Sequence, residues 1–314
     1  MAVWHISSRV AKTALLGLVA LDVALVAVAL RSTHAGGIDT SPVRTASASI
    51  APSPVSPETA PVSPSPTASV AVAKAPLQTM LVAFDGRRAW RIVAGSCSAG
   101  GATLATTADG GKTWVKRDAK FRWIVRLRPT EAQAAFVIGA NSSCAAELKD
   151  TSDGGGTWTS AGDVKTAWFK DPKDPRVVHA PGPATSRPCG RWAVLDLAVL
   201  ATESARVLCA DGLVRSTTDN GAVWTDVGTV DGAVALAVPA VNPAETYVAR
   251  LGAPDCAGVQ IQRVSPRLAT SCIPASLPKG PGQIAMSLIK GGGWLAVGDT
   301  TLPSTDGLVT WKVT

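Results

Sequence analysis

Three arginines in the first half of the chain come closest to a ligand-binding arrangement. Arg122, Arg126 and Arg128 are four and two residues apart within a predicted strand, and side chains an even number of residues apart in a strand point to the same face. Such a row of guanidinium groups could hold a carboxylate. A basic face of this period is, however, typical of a strand edge in contact with water. We expect the solvated edge here.

The other reactive side chains occur without the partners that catalysis needs. His179 follows two valines in a predicted strand, with no nucleophile turn elsewhere in the chain, and Tyr247 comes two residues after Glu245 at a predicted strand entrance. The glycine runs lack the Gly-Lys-Ser/Thr of a phosphate-binding loop. None of the cysteines forms the Cys-x-x-Cys pair of a zinc site. We therefore predict no catalytic residue, no cofactor and no metal ion.

The charge pattern argues against a nucleic-acid partner. The 314 residues carry a formal net charge of +7, but the basic residues are scattered and are not interleaved with aromatic ones. The abundance of Ala, Val, Gly and Thr predicts a high-GC, actinobacterial source.

Residues 1–35 are predicted to be a targeting segment. Arg9 and Lys12 precede an apolar run over about 13–30, which is just long enough to cross a bilayer as a helix and is interrupted only by Asp22. Two interpretations remain open. We favour a signal anchor, which would hold the C-terminal domain outside the cell on a single membrane span. The alternative is a signal peptide cleaved after Ala35, which would release a secreted protein.

Residues 36–76 are predicted to be a disordered linker. They contain eight prolines among Ser, Thr, Ala and Val, and no aromatic residue. Such a segment cannot bury enough apolar surface to offset the entropy lost on ordering. We expect it to hold the remainder of the chain clear of the membrane.

Residues 77–314 repeat an octapeptide of the form Ser/Thr-x-Asp-x-Gly-x-Thr-Trp within short predicted strands. The four copies, two of them degenerate, are Thr107–Trp114, Thr151–Trp158, Thr217–Trp224 and Ser304–Trp311. The first two are 44 residues apart, counting from Asp109 to Asp153, which matches one four-stranded blade of a β-propeller. Turn residues separate strands of four to six residues throughout, and no helical period persists. The sequence predicts an all-β propeller of about six four-stranded blades, with five or seven open.

This octapeptide resembles the Asp-box, or bacterial neuraminidase repeat, of sialidases, sortilin-type receptors, some glycoside hydrolases and photosystem assembly factors. In that family the boxes are structural turns away from the ligand-binding face. The resemblance therefore implies a structural role for Asp109, Gly111, Trp114, Asp153, Gly155, Trp158, Asp219, Gly221, Trp224, Asp306 and Trp311. The fourth copy departs from the pattern, because Leu308 stands where glycine is expected, and its turn geometry stays open.

Dividing the chain at these turns gives blades over about 77–118, 122–162, 164–190, 191–228, 230–273 and 280–314, the third of them short. All six cysteines fall in this part, and an even number in an exported chain predicts disulfides. Cys97 and Cys144 occupy corresponding places in the first two blades, and Cys256 and Cys272 bracket the outer strands of the fifth. We predict the pairs Cys97–Cys144, Cys189–Cys209 and Cys256–Cys272.

The predicted function is a non-catalytic binding or assembly module at the bacterial cell envelope. Propellers offer a recognition surface at one mouth of the central channel, and Trp168 and Phe169 in the short blade are candidate ligand-face residues. The expected partner is an envelope protein or a glycan, with contact to the membrane through the N-terminal helix, and the module is expected to be a monomer.

The alternative is a glycoside hydrolase of the Asp-box class. The resemblance implies that a sialidase would need an arginine triad and a Tyr–Glu pair. The nearest likeness to the family's Phe-Arg-Ile-Pro signature, Phe121–Ile124, follows the first box and lacks the proline. No pair of carboxylates is marked by the sequence.

Overall fold

The computed structural model describes residues 73–314, and the predicted apolar helix and most of the predicted linker lie outside them. Within 73–314 no helix is both long enough and apolar enough to span a bilayer. Apart from one short 3-10 turn at Val164–Thr166, the regular structure is β-strand.

Twenty-two strands form six antiparallel sheets that follow one another along the chain. The first sheet comprises β1 Thr79–Ala83, β2 Ala89–Val93, β3 Thr103–Thr107 and β4 Val115–Arg117. The second comprises β5 Trp123–Pro129, β6 Ala135–Ala140, β7 Ala146–Thr151 and β8 Thr159–Ser160. The third comprises β9 Phe169–Lys170, β10 Val178–His179 and β11 Thr185–Ser186.

The remaining three sheets have the same plan. The fourth comprises β12 Val194–Val199, β13 Ala205–Cys209, β14 Leu213–Thr217 and β15 Thr225–Thr229. The fifth comprises β16 Ala233–Ala237, β17 Tyr247–Arg250, β18 Val259–Arg263 and β19 Leu268–Ile273. The sixth comprises β20 Ile284–Ile289, β21 Gly292–Val297 and β22 Thr300–Ser304.

The sheets close into a ring around a central channel. The innermost strands contact one another in the order β1, β5, β9, β12, β16, β20, and β20 returns to β1. Apolar side chains between neighbouring sheets form the core, including fully buried Ile92, Val137, Leu208 and Leu295. The structure is a six-bladed β-propeller. Its blades coincide with those predicted from the octapeptide spacing.

Two blades differ from the four-stranded expectation. The sixth blade has three strands. The residues after Ser304 do not form a fourth strand and are joined to β22 only by isolated backbone hydrogen bonds, such as that from the Lys312 N–H to the Pro303 oxygen. In the third blade the missing strand is the inner one. In the other blades, a backbone N–H in the turn after the third strand donates to a backbone oxygen in the turn between the first and second strands. In the third blade the Gly182 N–H donates to the Lys165 oxygen in this way. By that correspondence β9, β10 and β11 are second, third and fourth strands.

The sequence explains this omission. Ser160 ends β8, and β9, the third blade's second strand, begins at Phe169. The eight residues between them leave no room for a strand of ordinary length with a turn on either side. The inner position of the third blade is therefore not filled by a strand, and β9 is an edge strand whose inner side pairs with no other strand.

The four octapeptides form one repeated hydrogen-bonded turn. In the first, the Asp109 carboxylate accepts hydrogen bonds from the Thr107 hydroxyl at 2.8 Å, the Thr113 N–H at 3.0 Å and the Thr113 hydroxyl at 2.6 Å. The Thr107 hydroxyl oxygen in turn accepts the Gly111 N–H at 3.0 Å. The carboxylates of the other copies accept the equivalent bonds, except that Asp219 has no hydroxyl at Val223 to accept from.

Glycine at the fifth position of the turn allows a tryptophan of the preceding blade to approach. Gly111 has φ of 89°, and a Cβ atom there would lie 3.1 Å from the Trp294 ring. Gly155 and Gly221 lie in the same way against Trp90 and Trp168. The tryptophan that ends each turn then packs edge-on against the same ring, in the pairs Trp114–Trp294, Trp158–Trp90 and Trp224–Trp168. These pairs join neighbouring blades.

The fourth turn keeps its carboxylate hydrogen bonds although Leu308 replaces glycine. Leu308 adopts a φ of 72°, which a leucine rarely does, and its side chain is only 7% exposed. The preceding, fifth blade contains no tryptophan. The leucine side chain is buried where the other three turns meet an indole, and this burial offsets the backbone strain.

The six cysteines form three disulfides, Cys97–Cys144, Cys189–Cys209 and Cys256–Cys272, in the pairing predicted from the sequence. The first joins the first and second blades through the turns between their second and third strands. The second joins the third and fourth blades, and the third lies within the fifth. Two of the three disulfides therefore connect neighbouring blades.

Acid should destabilise the propeller through its turn carboxylates. The side-chain hydrogen bond from Thr113, followed by its backbone N–H and the Thr107 hydroxyl, lowers the pKa of Asp109 from 3.8 to about 2. The same kinds of bonds lower the pKa of Asp306 to about 2, and those of Asp153 and Asp219 below their usual range. A carboxyl with a depressed folded-state pKa stabilises the fold above its unfolded pKa, and that stability is lost as the pH falls through the folded value.

We therefore expect the midpoint of thermal unfolding to fall most steeply between pH 3.8 and about 2. The Asp109→Asn variant should show a shallower decline over this interval, measured by circular dichroism. Asp231→Asn, on an exposed turn, is the control and should follow the wild type. Equal slopes for Asp109→Asn and wild type would contradict a role for the turn carboxylate.

Candidate functional site

The arginines that share a strand in the sequence do not converge on one point. Arg122 lies before a bulge in the pairing of β5, and its guanidinium donates to the Cys97 and Ser98 oxygens at the disulfide-bearing end of the first blade. Arg126 and Arg128 lie beyond the bulge and both line the central channel. Arg126 is partly exposed and faces the channel, so the three arginines do not form one solvated edge.

Trp168 and Phe169 were predicted to face a ligand, and the structure corrects this. Their side chains are 1% and 3% exposed. The Trp168 indole donates to the Thr202 oxygen at 2.8 Å and packs against Trp224 of the next blade. Phe169 stacks on His179, its cross-strand neighbour. Both residues are buried because β9 holds the place of a second strand, whose side chains pack between blades.

The reactive side chains singled out in the sequence have local partners. His179 Nε2 lies 2.7 Å from the Asp171 carboxylate. Burial raises the pKa of Asp171, but the bonds from His179 and two backbone N–H groups outweigh burial and lower it overall. The Tyr247 hydroxyl donates to Glu245 at 2.8 Å, and burial and this carboxylate raise its pKa. A raised pKa makes the phenol a poorer nucleophile.

The central channel contains a cavity with a volume of about 480 Å³. Its walls are the inner strands β1, β5, β12, β16 and β20. A second cavity of about 280 Å³ lies between the second and fourth blades and shares Arg126, Arg128 and Val199 with the first. Both cavities lie where the inner strand of the third blade would run.

The chain itself covers one end of the channel. The Leu77 N–H donates to the Leu195 oxygen of the fourth blade at 3.1 Å, although Leu77 leads directly into β1 of the first blade. These two blades lie opposite each other in a ring of six, so residues 74–77 cross the channel where the inner strands begin. Leu77 is buried there.

The other end of the channel lies beside the octapeptides. In an antiparallel blade, the turn after the first strand and the turn after the third lie at the same end. The cavity reaches Phe84, Pro129, Leu200 and Pro239, which follow the inner strands at that end. This cavity therefore reaches the octapeptide end of the channel, whereas the resemblance implies that ligands bind away from the octapeptides.

The charged side chains of the channel are three cations and one carboxylate, namely Arg126, Arg128, Lys170 and Asp196. Burial, and then the neighbouring Arg128, lowers the pKa of Arg126 to about 9, so it stays cationic at neutral pH. Burial lowers the pKa of Lys170 and raises that of Asp196, and each of these two groups opposes the shift of the other.

Each of the deep polar groups has backbone partners. The Asp196 carboxylate accepts hydrogen bonds from the Leu197 and Leu236 N–H groups, both at 2.8 Å. Lys170 Nζ donates to the Leu195 oxygen at 3.0 Å, and Arg126 Nη1 donates to the Trp168 oxygen at 2.5 Å. The sequence does not identify Lys170 and Asp196 as site residues, because nothing in the local pattern distinguishes a side chain that faces the place of a missing strand.

Across residues 73–314, no cluster of three or more His, Cys, Asp or Glu side chains has a geometry suited to a metal ion.

The sequence matches no protein-family model and no curated protein. Among solved structures, it is similar to YCF48 bound to D1 peptide, with 17% identity over 77% of this chain and 69% of that chain and a TM-score of 0.29. TolB from Acinetobacter baumannii is 14% identical over 71% and 62% of the two chains, with a TM-score of 0.39. The GH74 xyloglucanase from Xanthomonas campestris is 14% identical, with a TM-score of 0.31, and this chain covers 38% of its length and aligns over 74% of its own.

Proposed function

We propose that this chain is an exported, membrane-tethered binding or assembly module of the Asp-box type at the bacterial cell envelope. Its ligand is a protein or a glycan, and it acts as a monomer through the central channel. The observation that carries this proposal is the channel cavity of about 480 Å³, which residues 74–77 cover at one end. A concave site with apolar walls and a few convergent polar groups is the usual form of a ligand site.

The four octapeptide turns support the Asp-box assignment through their common hydrogen bonds. The tether is the predicted helix over about 13–30, followed by the linker, which places the propeller outside the cell. Secretion after cleavage at Ala35 is the alternative.

The lining of the channel favours binding over glycoside hydrolysis. Glycosidases use two carboxyl groups flanking the scissile bond, one as an acid and one as a base or nucleophile. Asp196 is the single carboxylate among the channel-lining residues of the described chain. Its two backbone hydrogen bonds hold it against the wall.

Capture from envelope membranes tests the proposed function. The full-length protein should retain a partner, and Arg128→Glu, which reverses an exposed charge lining both cavities, should reduce that retention at least about tenfold, as expected for a lost charged hydrogen bond. Lys116→Glu makes the same charge change on the outer strand β4 and should retain the partner. Equal capture by both variants would rule out the channel as the binding site.

A panel of fluorogenic glycosides and a glycan array complete the test. Glycan binding without turnover identifies the ligand class and agrees with the proposal. Turnover that is lost in Asp196→Asn would establish the glycosidase alternative instead.

A further inference from the structure

Two cations without carboxylate partners, Arg126 and Lys170, lie deep in the channel. They are found where the third blade lacks its inner strand. Among residues 73–314, no Asp or Glu oxygen lies within ion-pairing distance of Arg126 or Lys170. Every other blade fills this position with a strand. Here it is bounded by β5 on one side, β12 on the other and the unpaired edge of β9.

Arg126 has most of its hydrogen-bonding capacity unused. The guanidinium carries five N–H donors, and one hydrogen bond, from Nη1 to the Trp168 oxygen, connects it to the described chain. The side chain is partly exposed and lines both cavities, from which it can be reached. Its ring neighbour Phe136, 5.0 Å from the guanidinium carbon, offers only its π face.

Lys170 repeats this arrangement nearer the covered end of the channel. Its ammonium donates to the Leu195 oxygen, which also accepts the Leu77 N–H. Asp196 lies beyond ion-pairing distance and offsets the charge only at longer range. Arg128 stands at the open end, so cations follow the channel from its mouth to its base.

The channel is therefore short of negative charge. Its lining holds three cations against one carboxylate, which leaves a net charge of +2. Asp150 belongs to the smaller cavity but is exposed to solvent at its rim. An enclosed charge without a partner is costly, because the protein replaces the water that solvated it with apolar surroundings.

We propose that the channel binds an anionic oxygen group, a carboxylate or a phosphate, among its three cations Arg126, Arg128 and Lys170. The group is carried on an apolar body that fills the place of the missing strand. It enters at the octapeptide end, because residues 74–77 cover the other end. The apolar walls that would receive this body include Leu127, Phe136, Leu148 and Met286. This inference rests on the proposed use of the channel as the ligand site and names the ligand's chemistry.

Isothermal titration of the full-length protein at fixed ionic strength tests this assignment, with inorganic phosphate, acetate and hexanoate as probes. We expect one saturable site. Hexanoate should bind more than about tenfold more tightly than acetate, because each added methylene that is buried contributes about fourfold in affinity. The stronger of phosphate and hexanoate identifies the preferred anion.

Two variants locate the site. Arg126→Met and Lys170→Met should each weaken the better probe about tenfold or more, as expected when a charged hydrogen bond is lost. Their thermal midpoints should equal or exceed that of the wild type, because each removes an unpaired enclosed charge. Arg187→Met, at an exposed arginine paired with Asp174, should leave probe affinity unchanged. If Arg126→Met does not fold, Arg126→Lys replaces it and should retain part of the affinity.

Absence of a saturable site, or equal affinity in Arg126→Met, Lys170→Met and wild type, would overturn the anion site. That result would leave the membrane capture experiment untouched, since a neutral partner can bind in the same channel. Failure of the unaltered full-length protein to capture any partner, with anion binding retained, would instead refute the proposed function and keep the anion site.

Discussion

Replacing Trp294 with alanine is expected to lower the free energy of unfolding by about 3–5 kcal/mol. Trp294 is fully buried, its ring packs edge-on against Trp114 with 6.5 Å between centroids, and its indole N–H donates to the Asp85 oxygen at 3.0 Å. Both partners belong to the first blade, whereas Trp294 belongs to the sixth. No strand is shared across this junction, so closure of the ring depends on side-chain contacts together with the Gln78 and Thr79 N–H bonds to the Gly282 oxygen.

Chemical denaturation followed by circular dichroism measures this effect. Trp192→Ala is the matched control, because its ring is 41% exposed, and it should change stability by less than about 1 kcal/mol. Trp294→Phe keeps an aromatic ring without the N–H and should fall between the two. Similar losses for Trp192→Ala and Trp294→Ala would show that the tryptophan pair does not hold the junction.

Removing the Cys97–Cys144 disulfide is expected to cost roughly 4 kcal/mol, from the chain-entropy relation for two cysteines 47 residues apart. This bond fixes the first blade to the second at the end away from the octapeptides. The Cys97→Ala, Cys144→Ala double variant removes it. Both cysteines are partly exposed, so replacing them with alanine removes little buried side-chain surface. The decrease in the free energy of unfolding therefore measures mainly the loss of the crosslink.

The Cys256–Cys272 bond supplies the comparison. Its cysteines are 16 residues apart within one blade, and its removal should cost roughly 3 kcal/mol. The two double variants are compared by equilibrium denaturation under oxidising conditions. A larger loss for the shorter loop would show that local packing, not loop closure, determines the contribution of these bonds.

The blade boundaries followed from the sequence because the octapeptide is a local signal. Its Asp, Gly and Trp residues act within the turn and on one neighbouring blade, so their spacing measures the blades directly. The cysteine pairs followed for the same reason: Cys97 and Cys144 occupy equivalent turns. The short third blade also followed from this spacing, since the 66 residues from Asp153 to Asp219 exceed one blade and fall short of two.

The site did not follow, because it depends on what the third blade lacks. Predicting that Trp168 and Phe169 are buried requires knowing that β9 holds a second-strand position, and this assignment rests on the Gly182–Lys165 hydrogen bond. Arg126 was counted with Arg122 in one row, but the bulge in β5 separates the two. Asp196 lies in an ordinary inner strand. It belongs to the site because its charge interacts with that of Lys170, which lies in another blade.

The crossing of the channel by residues 74–77 also has a mechanical consequence. Lys74 Nζ lies beside Gly212 of the fourth blade, Leu77 bonds to Leu195, and the chain then enters β1 on the far side of the ring. Tension applied to the N-terminal side of this segment would therefore pass through the middle of the ring instead of loading a single outer edge. Among the described residues, the Leu77 bond to the Leu195 oxygen would be the first backbone bond under load, and Lys170 donates to the same oxygen, so tension on the N-terminal side and a ligand at Lys170 would act on one carbonyl group.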